Sequence, residues 1–269
     1  MAYNDQAGLV DVFEGMLDIR KKRIRCVGNP RERFSEDALR LMRAVRFSAQ
    51  LGYEIEEETA EAIRELSPNL THISAERIQT ELIKLIISPH PENLRIAYEL
   101  GITGVVLPEF DACMKTQQRN LHHCYSVGEH IIKSMQEIRP DKVMRLAMLF
   151  HDIGKPQTIS QDDSGIHHFY GHPSVSEKMT KEILRRLKFD NYTIYMVSNL
   201  VKFHDYEVEP GAKYVRRAIM KTGEDIFPLL FEVKEADIKA QSSYRREEKE
   251  KKLKEIHEIY DEILACNQC

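Results

Sequence analysis

The sequence predicts a mainly α-helical protein with a short β remnant at its N-terminus. Apolar residues recur at helical spacing over most of the chain, and no regular array of turn residues interrupts them. The 269 residues include only 12 Gly and 10 Pro, roughly 4.5% and 3.7%, against usual shares near ~7% and ~5%. These observations argue against an all-β sandwich or barrel and favour a succession of helices.

The N-terminal thirty residues are the least helical part of the sequence. Residues 9–13 and 23–27 have the composition of short strands, and they flank a predicted turn at 14–16. The run Gly28-Asn29-Pro30 then breaks the chain. We therefore expect a small β segment that ends at residue 30.

Helices are predicted for almost all of the remaining chain. The first extends from Glu36 to Leu51, because Ser35 is a good N-cap and Gly52 can end the helix. Its apolar residues recur every three or four positions, as they do in the segments that follow. The further helices are predicted at about 56–66, 75–88, 91–100, 123–138, 141–153, 173–188, 192–203, 211–222, 224–241 and 244–264.

No feature of the sequence predicts a secreted or membrane protein. No apolar run approaches the ~18 residues of a membrane-spanning helix, and residues 1–5 lack the basic and apolar regions of a signal peptide. The five cysteines are odd in number and scattered, which favours a reducing, cytoplasmic compartment. We therefore expect a cytoplasmic protein without a membrane partner, and the sequence leaves its oligomeric state open.

The charge of the chain is unevenly distributed. Lys and Arg total 39 and Asp and Glu total 43, which gives a net charge of −4 and by itself argues against a nucleic-acid partner. Residues 19–46, however, hold ten basic and three acidic residues, so this segment carries +7 and the rest of the chain −11. Because such a segment attracts phosphate groups, the net charge does not exclude RNA.

Four charged residues within this segment lie three positions apart, and we call them the arginine stripe: Asp37, Arg40, Arg43 and Arg46. Like charges at this spacing destabilise a helix unless anions lie against them. Guanidinium groups bind phosphates, and an Asp accepts a hydrogen bond from the exocyclic amine of a base. The stripe could therefore hold a nucleotide, with its base at the Asp37 end and its phosphates at the Arg46 end. A helix face that is ion-paired with acidic neighbours is the alternative.

Several motifs in the first 110 residues resemble those of one enzyme family. Residues 33–47 resemble the nucleobase-selecting motif of bacterial CCA-adding tRNA nucleotidyltransferases and their poly(A) polymerase relatives. Residues 11–19 resemble the motif that precedes it, and residues 73–82 and 107–109 fit the later helical region. The match is specific because several motifs occur in order.

This resemblance implies a nucleotide site on the arginine stripe and tRNA as a partner. By the resemblance, Asp37 and Arg40 form a template that pairs with CTP or ATP, and Arg43 and Arg46 lie on the same site. The catalytic head of the family carries two Asp separated by one residue, a pattern that is absent from this sequence. We therefore expect the head to precede Met1. Since phosphoryl transfer depends on the metals that the head holds, we expect this C-terminal part not to add nucleotides alone.

A second concentration of reactive residues comes later, where eight of the 11 histidines fall between residues 122 and 204. An apolar helix leads directly into His151 and Asp152, and the run Gly154-Lys155-Pro156 ends it. A buried Asp needs a partner, most simply a cation. Imidazole together with carboxylate suits a divalent metal such as Mg, Mn, Ni, Fe or Zn. A hydrogen-bonded His-Asp pair without a metal is the alternative.

The order of these residues resembles that of the HD-domain metal-dependent phosphohydrolases, and residues 149–156 are a specific match. The resemblance implies that a bound metal activates water and that Asp152, as the catalytic residue, orients this water or accepts its proton. It also implies His123, His151, Asp152 and Asp237 as ligands of a first metal and His172 and His204 as ligands of a possible second metal. His122 and His130 are assigned to a supporting position or the surface, and His167, His168 and His257 to no site.

We divide the chain into four expected segments: a head remnant at 1–30, a nucleotide- and tRNA-binding neck and body at 31–112, an HD domain at 113–243 and a tail helix at 244–269. The favoured function is the C-terminal part of a CCA-adding tRNA nucleotidyltransferase whose HD domain hydrolyses phosphoesters. Two alternatives stay open. One is a stand-alone HD phosphohydrolase acting on nucleotides or cyclic phosphates, and the other is a non-catalytic RNA-binding module.

Overall fold

Helices dominate the computed structural model, which describes residues 2–6, 8–118 and 125–267. The predicted mainly α fold class is confirmed. The chain divides into two units, the first ending at Pro108 and the second beginning at Glu109. Within the described residues, no helix combines the length and the apolar character that a membrane span requires.

In the first unit, α-helices pack around a small core, and the strands form two-stranded pairs at most. The central helix buries Leu41, Val45 and Ala49 completely. The elements are β1 (Ala2–Asn4), β2 (Gly8–Val10), α1 (Gly15–Arg20), β3 (Arg23–Ile24), α2 (Pro30–Glu36), α3 (Leu39–Leu51), β4 (Glu54–Ile55), α4 (Glu57–Leu66), α5 (Ala75–Ile86), α6 (Leu94–Glu99) and α7 (Ile102–Val106), with short 3-10 helices at Ser67–His72 and Pro91–Asn93.

The predicted strands at 9–13 and 23–27 do not pair with each other. Instead β2 pairs with β1 in antiparallel fashion, and β3 pairs with β4 in parallel. The predicted turn is the start of a helix, because the carboxylate of Asp11 accepts the N–H groups of Gly15 and Met16 at 2.8 and 2.7 Å. A carboxylate that satisfies the first free donors of a helix stabilises its N-terminus.

The predicted helix over 36–51 is interrupted at Asp37. This residue has an extended backbone, and its carboxylate accepts the N–H of Leu39 at 3.1 Å, so it caps α3. Ser35 is not an N-cap, because it lies inside α2 and donates its hydroxyl to the carbonyl of Arg31. Asn29 caps α2 instead. Because of this break, Asp37 lies outside the helix that carries Arg40, Arg43 and Arg46.

The second unit is also helical, and its central helix is buried on all sides. All seven residues from Met144 to Phe150 are buried, and the charged residue among them, Arg145, donates its Nε–H to the carbonyl of Arg139 at 3.3 Å. The elements are α8 (Pro108–Lys115), α9 (Val127–Gln136), α10 (Lys142–Phe150), α11 (Lys155–Thr158), α12 (His172–Arg186), α13 (Asn191–Phe203), α14 (Ala212–Thr222), α15 (Phe227–Ala240) and α16 (Arg246–Asn267), with β5 (Ser160–Gln161) and β6 (His167–His168) forming a small hairpin.

Candidate functional site

The end of α10 carries His151 and Asp152 into the interior of the second unit, where each is only 1% exposed. The chain then turns at Gly154, whose N–H donates to the hydroxyl of Ser176 at 2.9 Å. A Cβ added to Gly154 would lie 2.7 Å from the backbone nitrogen of Ser176. Glycine therefore allows the His-Asp turn to lie directly against α12.

On one side of Asp152, two histidine rings converge on two carboxylates. The Nε2 atom of His130 lies 2.9 Å from Oδ1 of Asp237 and 3.5 Å from Oδ2 of Asp152. The Nε2 atom of His151 lies 3.4 Å from the same Asp152 oxygen. One potential ligand atom from each of His130, His151 and Asp152 lies within 4.8 Å of the others. This spacing would allow all three to contact a single metal ion.

On the other side of Asp152, a second pair of histidines faces its Oδ1 atom. The Nε2 atoms of His172 and His204 lie 3.2 and 3.7 Å from this oxygen and 3.2 Å from each other. These three residues form a second group whose ligand atoms lie within 4.8 Å of one another. Asp152 thus belongs to both groups.

Backbone hydrogen bonds hold three of the rings in one orientation. The Nδ1 atoms of His151, His172 and His204 lie 2.7, 2.9 and 2.6 Å from the carbonyl oxygen three residues earlier in the chain. A carbonyl can only accept, so Nδ1 must carry the proton and donate it. Nε2 is then the atom whose lone pair is available for a cation, as in metal-ligating histidines. We call His130, His151, Asp152, His172, His204 and Asp237 the His-Asp cluster.

The electrostatics of the cluster also suit a cation. Burial alone would raise the pKa of Asp152 and Asp237, but His151 and Lys155 beside the former and His130 beside the latter hold both pKa values well below the ordinary range. Burial, together with the nearby His151, lowers the pKa of His204 to about 3. Burial opposes protonation of His151, yet Asp152 and Asp237 raise its pKa. A proton on Nε2 of His151 would occupy the position that a metal ion would take.

Two further side chains support the carboxylates of the cluster. The ammonium group of Lys155, 6% exposed, lies 2.7 Å from Oδ2 of Asp152 and donates to Gln118 at 2.9 Å. The side-chain amide of Gln241 donates to Oδ2 of Asp237 at 2.9 Å and accepts a hydrogen bond from Lys249 of α16 at 2.6 Å. A chain of contacts therefore links α16 to the cluster.

The cluster opens into a cavity of about 780 Å³, which we call the cluster cavity. Its walls come from the segment 166–173, from the segment 204–208 that follows α13, from the length of α15, and from α16. Four lysines line it, namely Lys155, Lys234, Lys249 and Lys252. The arrangement offers room for a ligand much larger than a phosphate ion beside a group of metal-ligating atoms.

The structure brings together five of the six residues that were predicted as metal ligands: His151, Asp152, His172, His204 and Asp237. The sixth, His123, and its neighbour His122 lie outside the described residues. His130 is not at the surface, and its ring takes part in the cluster. Its position could have been predicted, because it shares the buried face of α9 with Val127, Ile131 and Ser134 at helical spacing.

The histidines that were assigned to no site lie outside the cluster. His167 and His168 belong to the β5–β6 hairpin and line the cluster cavity. His168 bonds to Asp162 at 2.9 Å. His257 lies on α16, where its ring stacks on that of Phe231 with the centroids 4.3 Å apart.

In the first unit, the arginine stripe does not form one exposed face. Successive residues three apart on α3 are rotated by about 60°, so Arg40 and Arg46 differ by about 120° around the helix. Arg46 is 8% exposed, and it pairs with Glu81 at 2.6 Å. Arg43 is exposed. The inward position of Arg46 departs from the predicted stripe and reflects this rotation.

The outer end of the stripe is also ion-paired. Arg40 contacts Glu36 at 2.6 Å, and Asp37 contacts Arg77 at 2.8 Å. Both pairs are partly exposed, so each contributes little to stability and can be exchanged for a ligand at low cost. The arginine stripe is thus ion-paired with acidic neighbours, as one interpretation predicted, and its exposed pairs could still open for a nucleotide, as the other predicted.

Comparison with protein families identifies two matching segments. Residues 52–114 match a family model described as the probable RNA and SrmB-binding site of polymerase A, and residues 120–241 match the HD domain. The second match contains the whole His-Asp cluster. The resemblances that the sequence motifs indicated are confirmed.

Curated relatives include three kinds of tRNA nucleotidyltransferase. The chain is 31% identical to the A-adding enzyme of Deinococcus radiodurans over 88% of its own length and 57% of the relative. It is 31% identical to the CC-adding enzyme of Thermus thermophilus over 96% of its own length and 61% of the relative. A CCA-adding enzyme of Streptococcus pyogenes is 40% identical, over 46% of this chain and 30% of the relative. The chain thus spans about three fifths of the first two.

Solved structures show the same fold. The CCA-adding enzyme of Bacillus stearothermophilus in complex with CTP matches 94% of this chain and 55% of its own with a TM-score of 0.61 at 23% identity. A complex of CCA-adding enzyme with ATP matches 92% of this chain and 52% of its own with a TM-score of 0.51 at 18% identity. Identities this low support the fold alone. Taken with the family and curated matches, the chain is similar to CCA-adding tRNA nucleotidyltransferases over the part of them that it spans, and its residues 52–114 and 120–241 match the polymerase A RNA-binding and HD family models.

Proposed function

We propose that the second unit is a metal-dependent phosphohydrolase that cleaves phosphoesters. The observation that carries this proposal is the convergence of four histidine Nε2 atoms on the two carboxylate oxygens of Asp152, with three of the rings oriented by backbone carbonyls. Imidazole and carboxylate donors together suit divalent ions such as Mn, Fe, Ni, Zn and Mg. The fit of the donor set argues for a bound cation rather than for a purely structural hydrogen-bonded cluster.

The residues of the cluster have distinct roles in this proposal. The four histidines, Asp152 and Asp237 would hold the divalent metal, which would lower the pKa of bound water and polarise the phosphoryl oxygen. Asp152 would orient the attacking water by hydrogen bonding. The ammonium group of Lys155, next to Asp152, offsets negative charge that develops on the phosphate oxygens.

Hydrolysis and metal content test this proposal together. We expect the chain, supplied with Mn²⁺, Ni²⁺, Fe²⁺, Zn²⁺ or Mg²⁺ in turn, to hydrolyse p-nitrophenyl phosphate with at least one of them. His151→Ala and Asp152→Asn should lower both activity and bound metal by more than about 100-fold. His72→Ala, which alters an exposed histidine of the first unit, is the matched control. Absence of bound metal in the wild type, with no hydrolysis, would contradict the proposal.

The comparisons favour a second function for the first unit. We propose that it is the nucleotide- and tRNA-binding body of a tRNA nucleotidyltransferase, in which Asp37, Arg40 and Arg43 contact CTP or ATP. Support comes from the family match over residues 52–114, from the names of the relatives and from the positive segment that precedes it. The exposed ion pairs of Asp37 and Arg40 can open to admit a nucleotide.

Salt-dependent tRNA binding tests this second proposal. Binding that neutralises phosphates weakens linearly on a log scale as salt rises. Arg43→Ala should weaken tRNA or CTP binding and lower this slope, whereas Arg216→Ala, at an exposed position of α14 in the second unit, should not. Salt-independent binding, or equal effects of the two variants, would favour a stand-alone HD phosphohydrolase instead.

A further inference from the structure

The cluster cavity is larger than the reacting phosphate alone requires. Its volume of about 780 Å³ falls within the range of ~300–1,000 Å³ typical of sites for drug-sized ligands. We propose, on the basis of the proposed phosphohydrolase function, that it binds a nucleoside phosphate carrying a second phosphate group. In this proposal α16 supplies the lysines that select the second phosphate.

The charge of the cavity lining outside the cluster points to a second anionic group. Besides Lys155, the lining contains Lys234, Lys249 and Lys252, whereas its acidic residues outside the cluster are Asp205 and Glu207. The carboxylates of the His-Asp cluster would be neutralised by a bound cation, so the rest of the lining is positive. A phosphate that is not being cleaved fits this positive surface.

The lysines on α16 and α15 are already held in place by single contacts. The ammonium of Lys252 pairs with Glu209 at 2.8 Å, and that of Lys234 donates to the carbonyl of His204 at 3.0 Å. An ammonium group has three donors, so each of these contacts uses one of them. Such tethering reduces the side-chain entropy that a lysine loses when it binds a phosphate.

The remaining walls suit a nucleoside. Apolar residues of α15 and α16 contribute a continuous apolar side, including Phe227, Leu230 and Ile256. At the rim, Tyr170 is 76% exposed and stacks on His168 with the rings 5.3 Å apart and nearly parallel, at 6°. Any of the nucleobases can stack on an exposed aromatic ring. The combination of an apolar wall, an aromatic platform and lysines matches a nucleotide better than a sugar phosphate.

The experiment compares three probes on the full, Mn²⁺-supplied chain: adenosine 3′,5′-bisphosphate, adenosine 3′-monophosphate and p-nitrophenyl phosphate. We expect KM for the bisphosphate to be about tenfold lower than for the monophosphate. Lys252→Ala, and Lys252→Gln as a second variant, should remove most of this difference and leave KM for p-nitrophenyl phosphate unchanged. Lys254→Ala is the matched control, because Lys254 lies on the same helix but its side chain is 79% exposed and does not line the cavity.

A second pair of variants tests whether the exposed ring of Tyr170 stacks on the base. Tyr170→Ala should raise KM for both nucleotides and not for glycerol 2-phosphate, which has no ring that could stack on the tyrosine. Tyr192→Ala, which removes a tyrosine that is 66% exposed on α13, should change neither. A dinucleotide RNA that ends in a 3′-phosphate carries its second phosphate in the backbone. Tighter binding of this probe than of the free bisphosphate would identify an RNA 3′ end as the source of the ligand, and the reverse would identify a free nucleotide.

The outcomes separate this inference from the proposed function. Equal KM values for bisphosphate and monophosphate in the wild type, with p-nitrophenyl phosphate hydrolysed, would overturn the inference and leave the phosphohydrolase intact. The same conclusion would follow if Lys252→Ala and Lys254→Ala had equal effects. If no probe is hydrolysed, surface plasmon resonance still measures binding, and a preference for the bisphosphate that depends on Lys252 would support the inference while the hydrolase proposal fails.

Discussion

The two carboxylate oxygens of Asp152 face different pairs of histidines. Its Oδ2 atom lies 3.5 and 3.4 Å from the Nε2 atoms of His130 and His151, and its Oδ1 atom lies 3.2 and 3.7 Å from those of His172 and His204. A carboxylate in this position can bridge two ions, and ions ~3.5–4 Å apart are typical of two-metal hydrolytic sites. The position of Asp152 between the two histidine pairs therefore bears on how many metal ions the chain binds.

We predict about two divalent ions per chain, as in two-metal sites. His204→Ala should lose one ion because it removes a ligand from one group only, and Asp152→Ala should lose both because it removes the shared ligand. Elemental analysis of the purified protein after gel filtration measures the ratio of metal to protein, with His72→Ala as control. A wild-type ratio near one, or equal ratios in the two variants, would contradict a bridging role.

The chemistry of single residues was predictable where it depended on local sequence. The apolar run before His151 and Asp152 predicted their burial, since such a helix places whatever follows it in the interior. The inward position of Arg46 follows from the rotation along α3, but its buried partner, Glu81, lies far away in sequence. No spacing argument identifies such a partner, so the sequence alone could not separate an exposed stripe from a partly buried one.

At the scale of elements, the contact between α15 and α16 reaches the cluster through Gln241. This residue follows Asp237 by one helical turn, so its amide can donate to the Asp237 carboxylate while Lys249 of α16 holds its oxygen. Groups that orient a ligand in this way typically affect metal affinity by about 10–100-fold. The docking of α16 thereby influences the cluster without contributing a ligand.

We predict that Gln241→Leu weakens metal binding by about tenfold, because the Asp237 carboxylate loses the donor that orients it. Titration calorimetry with Mn²⁺ measures the affinity, and circular dichroism checks that helix content is kept. The control is Gln136→Leu, which makes the same change at an exposed residue of α9. Unchanged affinity in Gln241→Leu would show that Asp237 is oriented by other contacts.

The N-terminus of α13 supplies a pH-dependent prediction. The Asp190 carboxylate accepts hydrogen bonds from the backbone N–H and the hydroxyl of Thr193, at 2.8 and 2.7 Å, and these bonds lower the pKa of Asp190 to about 2. Asp190→Ala should lower the free energy of unfolding by about 1 kcal/mol near neutral pH, the usual value of such a cap. Urea denaturation at several pH values measures the difference.

The sign of the pH dependence follows from the lowered pKa. A carboxyl group with a folded-state pKa below its unfolded value stabilises the fold above the unfolded value near 3.8, and this contribution is lost as pH falls towards about 2. The difference between wild type and Asp190→Ala should therefore be constant above about pH 5 and shrink below about pH 4. Lys142→Ala removes only the exposed ion pair with Asp190 and should have almost no effect. A pH-independent difference would contradict this explanation.

Long helices were predictable and short ones were not. The periodic apolar pattern of α12, α13 and α15 extends over several turns, which is enough to identify a helix and its buried face. Helices α1, α7 and α11 contain six, five and four residues, too few for periodicity to emerge. Their formation depends on caps and on tertiary packing. The predicted turn at 14–16 was wrong for the same reason, since the cap from Asp11 starts a short helix there.

At the scale of the whole molecule, the two units have separate cores and separate candidate sites. The mainly α class followed from composition and periodicity along the whole chain, because both are averages that do not depend on which helices pack together. The His-Asp cluster could be anticipated only in part, since it gathers residues from 130 to 237 and that convergence depends on helix packing. The four predicted segments remain a hypothesis about boundaries.

Removal of metal should therefore destabilise one unit selectively. A ligand that binds only the folded state adds about 2.7 kcal/mol to the free energy of unfolding at 100 times its Kd. All the ligating atoms of the His-Asp cluster belong to the second unit, so Mn²⁺ should slow hydrogen exchange in α9, α10, α13 and α15 and leave α3 and α5 unchanged. Hydrogen-exchange mass spectrometry with and without chelator measures this, and Asp152→Ala should abolish the effect. Equal protection of both units would mean that metal stabilises the chain through groups other than the cluster.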